Sequence, residues 1–188
     1  MEQPIRRCGW CEGISLYEAY HDQEWGRPVL DETKMFEFLL LETFQAGLSW
    51  ITVLKKRDAF RTVFHGFNIS RVAAMGDQEL EAAMKNPGII RNKAKILAAV
   101  NNAKCVEALH AQGTSLVDFF WNYVDGKPLV NHWKTIDEIP PLTPLAEQIS
   151  KDLKKLGFKF VGPTVIYAHM QATGMVNDHL VDCSFREG

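Results

Sequence analysis

Met35-Phe36-Glu37-Phe38-Leu39-Leu40-Leu41-Glu42-Thr43-Phe44-Gln45-Ala46-Gly47-Leu48-Ser49-Trp50 is the stretch that decides the fold. Residues 35–41 are apolar almost all round, so as a helix the run is buried on most sides. Glu42 follows directly, and a carboxylate there is expensive unless something pairs with it. Gly47 reads as a helix stop, where a positive φ carries no steric penalty. Ser49 reads as the N-cap of the next helix. The stretch therefore predicts a helix, a tight corner and a second helix, with a carboxylate, a leucine tip and a tryptophan around the corner. Two readings follow. A carboxylate beside aromatic faces holds a flat, electron-poor or cationic ring, or Glu42 pairs locally and Trp50 is core.

Upstream, residues 1–30 are irregular, with Cys8-Gly9-Trp10-Cys11 and the aromatics Trp10, Tyr17, Tyr20 and Trp25. Asp31 looks like the N-cap of the buried helix. Downstream, Trp50, Val53, Leu54, Arg57, Phe60 and Phe64 keep helical spacing in one helix opened by Ser49. Asn68 and Asp77 start short helices, and Asn86-Pro87-Gly88 ends the second. A long helix opens at 91–95. Thr143-Pro144 is an N-cap followed by proline at the first helical position. A last helix follows Gly162-Pro163 and stops at Gly174. No alternating strand run is visible, so the fold class is all-α.

The 188 residues suffice for one domain with a real core, or for two lobes sharing one. The formal charge of -2 announces no global basic field, although a local basic face suffices for nucleic acid. No run reaches the roughly 18 apolar residues that span a bilayer, and the start lacks a secretory apolar segment. A cytosolic, reducing home is expected. There the four cysteines are thiols or metal ligands rather than disulfides.

Two constellations carry chemistry. His179-x3-Cys183 sets two ligands one helical turn apart, and the N-terminal segment offers Cys8, Cys11 and His21. Two ligands from each end would form a closed Cys2His2 zinc site that staples the termini, with no open position for catalysis. In the second, Met84 to Arg91 reads as two helices joined by a Pro-Gly hairpin. Backbone N–H groups of such a turn and the following helix start face a phosphate without reading sequence. Arg91, Lys93 and Lys95 add cations there, with Lys55 and Lys56 nearby.

These pieces occur together in one family. The chain closely resembles the bacterial 3-methyladenine DNA glycosylase I family over nearly its whole length. The resemblance is carried by Arg7-Cys8-Gly9-Trp10, Tyr20-His21-Asp22, Glu24-Trp25-Gly26, residues 45–57, Gly88-Ile89-Ile90-Arg91, residues 157–162 and Gly174 to His179. It implies a single 1–188 domain of the helix-hairpin-helix glycosylase fold, the hairpin element lying near 77–112. It also implies a lobe tied by one structural zinc on Cys8, His21, His179 and Cys183, with Cys11 spare. The base pocket falls on Glu42, Trp50, Tyr20, Tyr17, Trp10 and Trp25. Leu48 becomes the wedge that fills the gap left by a flipped base, and Gly88, Ile90, Arg91, Lys93 and Lys95 the phosphate contacts.

The implied activity is base-excision repair by a monomeric enzyme on double-stranded alkylated DNA in the bacterial cytosol. The nucleotide is extruded, and 3-methyladenine, with weak action on 3-methylguanine, is released by hydrolysis. The cationic ring would stack between Trp50 and Tyr20, with an ionised Glu42 accepting from its N–H edge. Many relatives in the wider superfamily place a catalytic Asp some twenty residues beyond the hairpin. Here no Asp stands between Asp77 and Asp118, and no lysine matches a lyase nucleophile. A monofunctional glycosylase is expected, with the metal clamping the chain ends apart from the pocket chemistry. The competing classes are a DNA-binding module, which needs no carboxylate among aromatics, and a zinc hydrolase, which needs an open metal position.

Overall fold

The structure is a computed structural model that describes residues 4–45 and 47–187. Ala46 of the corner and the outermost residues of the 1–188 expectation lie outside the described residues. The described chain is mostly helical. The elements that position the site are α1 (Ser15–Gln23), α2 (Glu32–Gln45), α3 (Trp50–Leu54), α4 (Arg57–Val63), α5 (Ile69–Ala73), α6 (Asp77–Lys85), α7 (Lys93–Ala111), α8 (Leu116–Trp121), α9 (Pro144–Lys155) and α10 (Pro163–Ala172).

α2 is the central helix, as its sequence predicts. Every residue from Met35 to Phe44 is buried. Asp31 Oδ1 accepts from the Lys34 N–H at 2.8 Å, satisfying one orphan donor of the first turn. Glu32 reaches outward and accepts from the N–H groups of Leu116 and Val117, so α2 also caps α8. α10, α8 and α3 pack against α2, which places both the corner at its C-terminal end and the α10 face beside one another.

Several expectations change. The helix after Ser49 is broken at Lys55–Lys56 into α3 and α4, and the break brings Arg57 inward toward α2. Ser49 stands at the N-cap position, but its hydroxyl pairs with Thr52 Oγ1 at 2.8 Å instead of capping an N–H. The fold also contains one short parallel pair, β1 (Leu129–Val130) with β2 (Val176–Asn177), in the register Leu129 to Val176. Two residues per strand cannot show an alternation, so the sequence carried no sign of it. The pair fastens the segment after α8 to the C-terminal segment. Gly174 ends α10 at φ 72°, and a Cβ there would stand 2.4 Å from the Arg27 carbonyl carbon. Only glycine allows that approach, which lays the C-terminal segment against residues 26–29.

Candidate active site

Glu42 sits on the last turns of α2, and α2 is buried on every side there, so its carboxyl is buried too, at 4% exposure. It lines a cavity of about 690 Å³, well above what one flat ring fills. Trp10, Tyr17, Tyr20, Trp25 and Trp50 form the aromatic wall. α10 contributes Thr164, Val165, Tyr167, Ala168 and Gln171, and the loop after β1 contributes Ile136, Ile139, Pro140 and Pro141. No hydrogen bond or ion pair to Glu42 exists among the described residues. Burial alone pushes its pKa up to about 8. The empty pocket thus favours the neutral acid, whereas the expectation of an ionised Glu42 concerned a pocket holding a cationic base.

Two further groups at the cavity lack partners among the described residues: the Tyr20 hydroxyl and Trp50 Nε1. Burial, and after it Glu42, holds the Tyr20 phenol far above its ordinary pKa, so it stays a donor. A buried donor without a partner is costly in the native state, and a bound base with acceptor edges removes that penalty. The Tyr20 and Trp50 rings lie 5.6 Å apart at 48°. A slot for a ring stacked on both faces needs about 7 Å, twice the ordinary contact distance. The expected sandwich between Trp50 and Tyr20 is therefore not formed in this geometry, and one ring face at a time is available.

The metal-type ligands converge. The ligand atoms of Cys8, His21, His179 and Cys183, all buried, lie within 4.8 Å of one another. Cys183 Sγ is 3.6 Å from His21 Nε2 and 3.4 Å from His179 Nδ1, and Cys8 Sγ is 3.7 Å from His179 Nδ1. For bonds of about 2.3 Å to sulfur and about 2.0 Å to nitrogen, a tetrahedron has S···N edges of about 3.6 Å. The imidazoles are oriented from behind. His21 Nδ1 lies 2.8 Å from Asp22 Oδ1, and His179 Nε2 lies 3.1 Å from the Trp25 carbonyl. With N–H on those atoms, both lone pairs face the thiols, the usual outer arrangement of a metal histidine. Arg7 in turn holds Asp22 through Nε and Nη2. The hydrogen bond from the Cys8 thiol, and those with the histidines, draw Cys183 well below the usual thiol range. Cys11 stands outside the group and donates to the Cys8 carbonyl at 3.2 Å, in line with its reading as spare. The donor set fits a closed four-ligand metal.

Residues 179–183 are not helical, however. A turn closed by the Cys183 N–H on the Leu180 carbonyl brings the two ligands together. Gly26, at φ 75°, leaves room for the His179 ring, which a Cβ would meet at 2.9 Å. The cluster is also not remote from the cavity. The Trp25 ring is 4.7 Å from His179 and 5.0 Å from Trp10, and both tryptophans line the cavity. One aromatic layer separates the two sites.

At the corner, Leu48 is 39% exposed, and Gln45 Nε2 holds its carbonyl at 2.6 Å. A turn at 86–92 joins α6 to α7, with Ile89 buried and Ile90 half-buried. The Gly88 N–H already donates to Asn86 Oδ1 at 2.8 Å, and Lys56 Nζ to the Pro87 carbonyl at 2.9 Å. Arg91 and Lys93 are exposed. Lys95 is not: it is buried, and its Nζ donates to the Phe44 carbonyl at 3.2 Å. Its expected phosphate contact is corrected, because the helix register turns it toward the carbonyl end of α2. Sequence reasoning missed Gln45, Tyr167, Gln171 and the 136–141 wall. Only tertiary packing brings them to the cavity, although Gln171 stands just before the quoted Gly174 to His179 segment.

Comparison with known proteins identifies relatives of the chain. Residues 10–187 match the methyladenine glycosylase family. The DNA-3-methyladenine glycosylase 1 of Escherichia coli K12 is 49% identical over 95% of this chain and 96% of its own length. The DNA-3-methyladenine glycosylase of Haemophilus influenzae is 47% identical over 94% and 96%. A crystal structure of 3-methyladenine DNA glycosylase I superposes with a TM-score of 0.93 at 49% identity, covering 95% of this chain and 98% of that one. A variant of a 3-methyladenine DNA glycosylase I, crystallised in complex with 3-methyladenine, matches with a TM-score of 0.92 at 35% identity over 98% and 99%.

Proposed function

The chain belongs to the methyladenine glycosylase family, and from that premise we propose how its residues act. Its activity is base excision, the release of 3-methyladenine from DNA. The observation that carries the mechanism is Glu42, an acid buried without a counter-ion among aromatic faces. An N3-methylated adenine in DNA is cationic, so its C1′–N9 bond is already weakened and the base leaves without protonation. When that ring enters, its charge favours the Glu42 carboxylate, and the proton passes to solvent. Cation–π attraction to Trp50 or Tyr20 adds to the selection. C1′–N9 then breaks with its electron pair going to N9, which leaves the base neutral. Water adds through oxygen to C1′ and loses a proton, and an abasic site remains. Glu42 recognises and stabilises charge here and is no obligatory water-activating base.

Leu48 is the wedge that occupies the space of the flipped nucleotide. The α6–α7 hairpin is a helix-hairpin-helix element that meets a phosphate through its Gly88 to Ile90 backbone and through Arg91 and Lys93. Cys8, His21, His179 and Cys183 hold one zinc ion, which supplies cross-linking and no chemistry on the base. The whole chain acts as one monomeric unit on double-stranded DNA in the cytoplasm, with weak action on 3-methylguanine.

Chromatography of bases released from methylated DNA tests this reading. Wild-type chain should release 3-methyladenine, and Glu42→Gln should lose base affinity and release together. Full release by that variant would remove Glu42 from the mechanism. Borohydride should trap no covalent adduct; an adduct would reveal a lyase nucleophile. Chelating the metal should lower the melting temperature, and with Trp25 between the two sites it should also perturb base binding.

A further inference from the structure

Asp178 is fully buried, next to the ligand His179, and its carboxylate gathers four neutral side-chain donors. Oδ1 accepts from Asn131 Nδ2 and Trp133 Nε1, both at 2.7 Å. Oδ2 accepts from Gln171 Nε2 at 2.8 Å and from the Tyr167 hydroxyl. Each oxygen thus accepts two hydrogen bonds from side chains. Tyr167 and Gln171 also line the base cavity. Asn131 and Trp133 begin the segment that runs on to the cavity-lining Ile136 and Ile139. One carboxylate therefore ties together two walls of the pocket through donors, Trp133 and Tyr167, that the sequence sets more than thirty positions apart.

We propose that Asp178 is a positioning residue that sets the hydrogen-bonding polarity of the α10 wall. Through it Tyr167 and Gln171 are presented to the cavity as acceptors, and they select a base with an exocyclic amino group over its oxo counterpart. The proposal rests on the base-excision reading given above. Tyr167 has a single O–H, and that hydrogen is committed to Asp178, so only oxygen lone pairs remain for a ligand. Gln171 is held in one of its two amide orientations. A flip would set its Oε1 against a carboxylate oxygen, so Nε2 stays on Asp178 and Oε1 turns away from it. The six-position amino group of an adenine donates to such acceptors. A carbonyl oxygen at that position brings lone pair against lone pair, and the mismatch rejects it.

The test uses the full-length, metal-loaded protein and tryptophan fluorescence titration with two free bases, 3-methyladenine and 3-methylhypoxanthine. Wild type should prefer the amino base by about tenfold or more, the scale of one buried hydrogen-bond mismatch. Asp178→Asn puts an N–H where an acceptor stood, and it should bring the ratio close to one. Gln171→Met and Tyr167→Phe keep the shape of the wall and carry the test should Asp178→Asn not fold. Each should lower the ratio while the melting temperature stays near that of wild type. Equal weakening of both bases in Asp178→Asn, or an unchanged ratio in Gln171→Met and Tyr167→Phe, overturns the proposal. So does a wild type that binds both bases alike. In each of those cases a wild type that still releases 3-methyladenine from DNA leaves the base-excision reading standing.

Discussion

α2 buries two glutamates little more than a turn apart, and their surroundings are opposite. Glu37 meets Arg57 Nε at 2.7 Å and Arg61 Nη2 at 3.0 Å, and Arg57 also binds Glu24 at 2.8 Å. Glu42 meets no cation among the described residues and faces the cavity. The first carboxylate is satisfied inside the protein and serves the fold. The second is buried without a cation, and in the function proposed above the cationic base supplies one. Local sequence hardly separates them, since both are single acids in an apolar run. The difference is made by where α4 turns its arginine.

The largest effect should come from breaking the satisfied end. Arg57→Met leaves Glu37 and Glu24 without their shared guanidinium, and loss of one partner of a buried pair costs about 3–5 kcal/mol. Urea unfolding measures it. Burial works to raise Glu24, yet Arg57 and Lys34 outweigh it and hold it at about 2, so the loss should be fullest at neutral pH. A cost below about 1 kcal/mol would put this network in the class of surface pairs and dissolve the contrast.

The opposite sign is expected at the other end. Glu42 stays protonated to about 8 in the folded chain, against an ordinary value of 4.5. Between those values the folded chain holds a proton that the unfolded chain has lost. The Glu42 contribution to stability therefore falls as pH rises from 4.5 to 8 and is flat above that. Glu42→Gln should remove this slope and raise stability at pH 8 on the order of 4 kcal/mol, while base release is lost. Unfolding curves at both ends of the range check it. Parallel pH profiles for variant and wild type would mean that Glu42 is not the titrating group.

How much of this was legible follows from the same contrast. The buried α2, its Asp31 cap, the corner at Gly47 and the Thr143-Pro144 helix start are local patterns, and local patterns survive folding. The ligand set and the aromatic wall came from the family resemblance, and these residues do converge. The raised pKa of Glu42 in the empty pocket is not legible in sequence, because it depends on what is absent around the carboxyl, and an absence has no spacing. Lys95 was misread because one position of helix register separates a phosphate contact from a buried amine. Tyr167, Gln171 and the 136–141 wall reach the cavity through Asp178 and a strand pair of two residues each, below any periodicity.

A smaller effect should appear in ligand binding. A purine bearing a fixed positive charge prefers the ionised carboxyl, and the empty pocket holds the neutral form below about 8. Affinity for such a cation should therefore rise with pH, toward a limit of about tenfold per unit, and level off near 8. In Glu42→Gln the dependence should vanish. A rise that persists in the variant would assign it to another group.

The smallest expected effect concerns an ammonium that comes to the end of α2. Lys95 approaches the C-terminal turn, but it binds the Phe44 carbonyl, and burial alone accounts for the Glu42 shift. A cation at a helix C-terminus supports orphan carbonyls and is worth about 0.3–1 kcal/mol, somewhat more when partly buried. Lys95→Met should thus change stability by about 1 kcal/mol and leave the Glu42 pH profile in place. Its DNA affinity should fall with salt as steeply as that of wild type. Arg91→Ala, on the exposed side of the same hairpin, should shorten the slope of log K against log salt by about one. A slope shortened by Lys95→Met would show that this amine leaves the helix end for a phosphate when DNA binds. The apparent neutrality of the Glu42 end would then belong to the free protein alone.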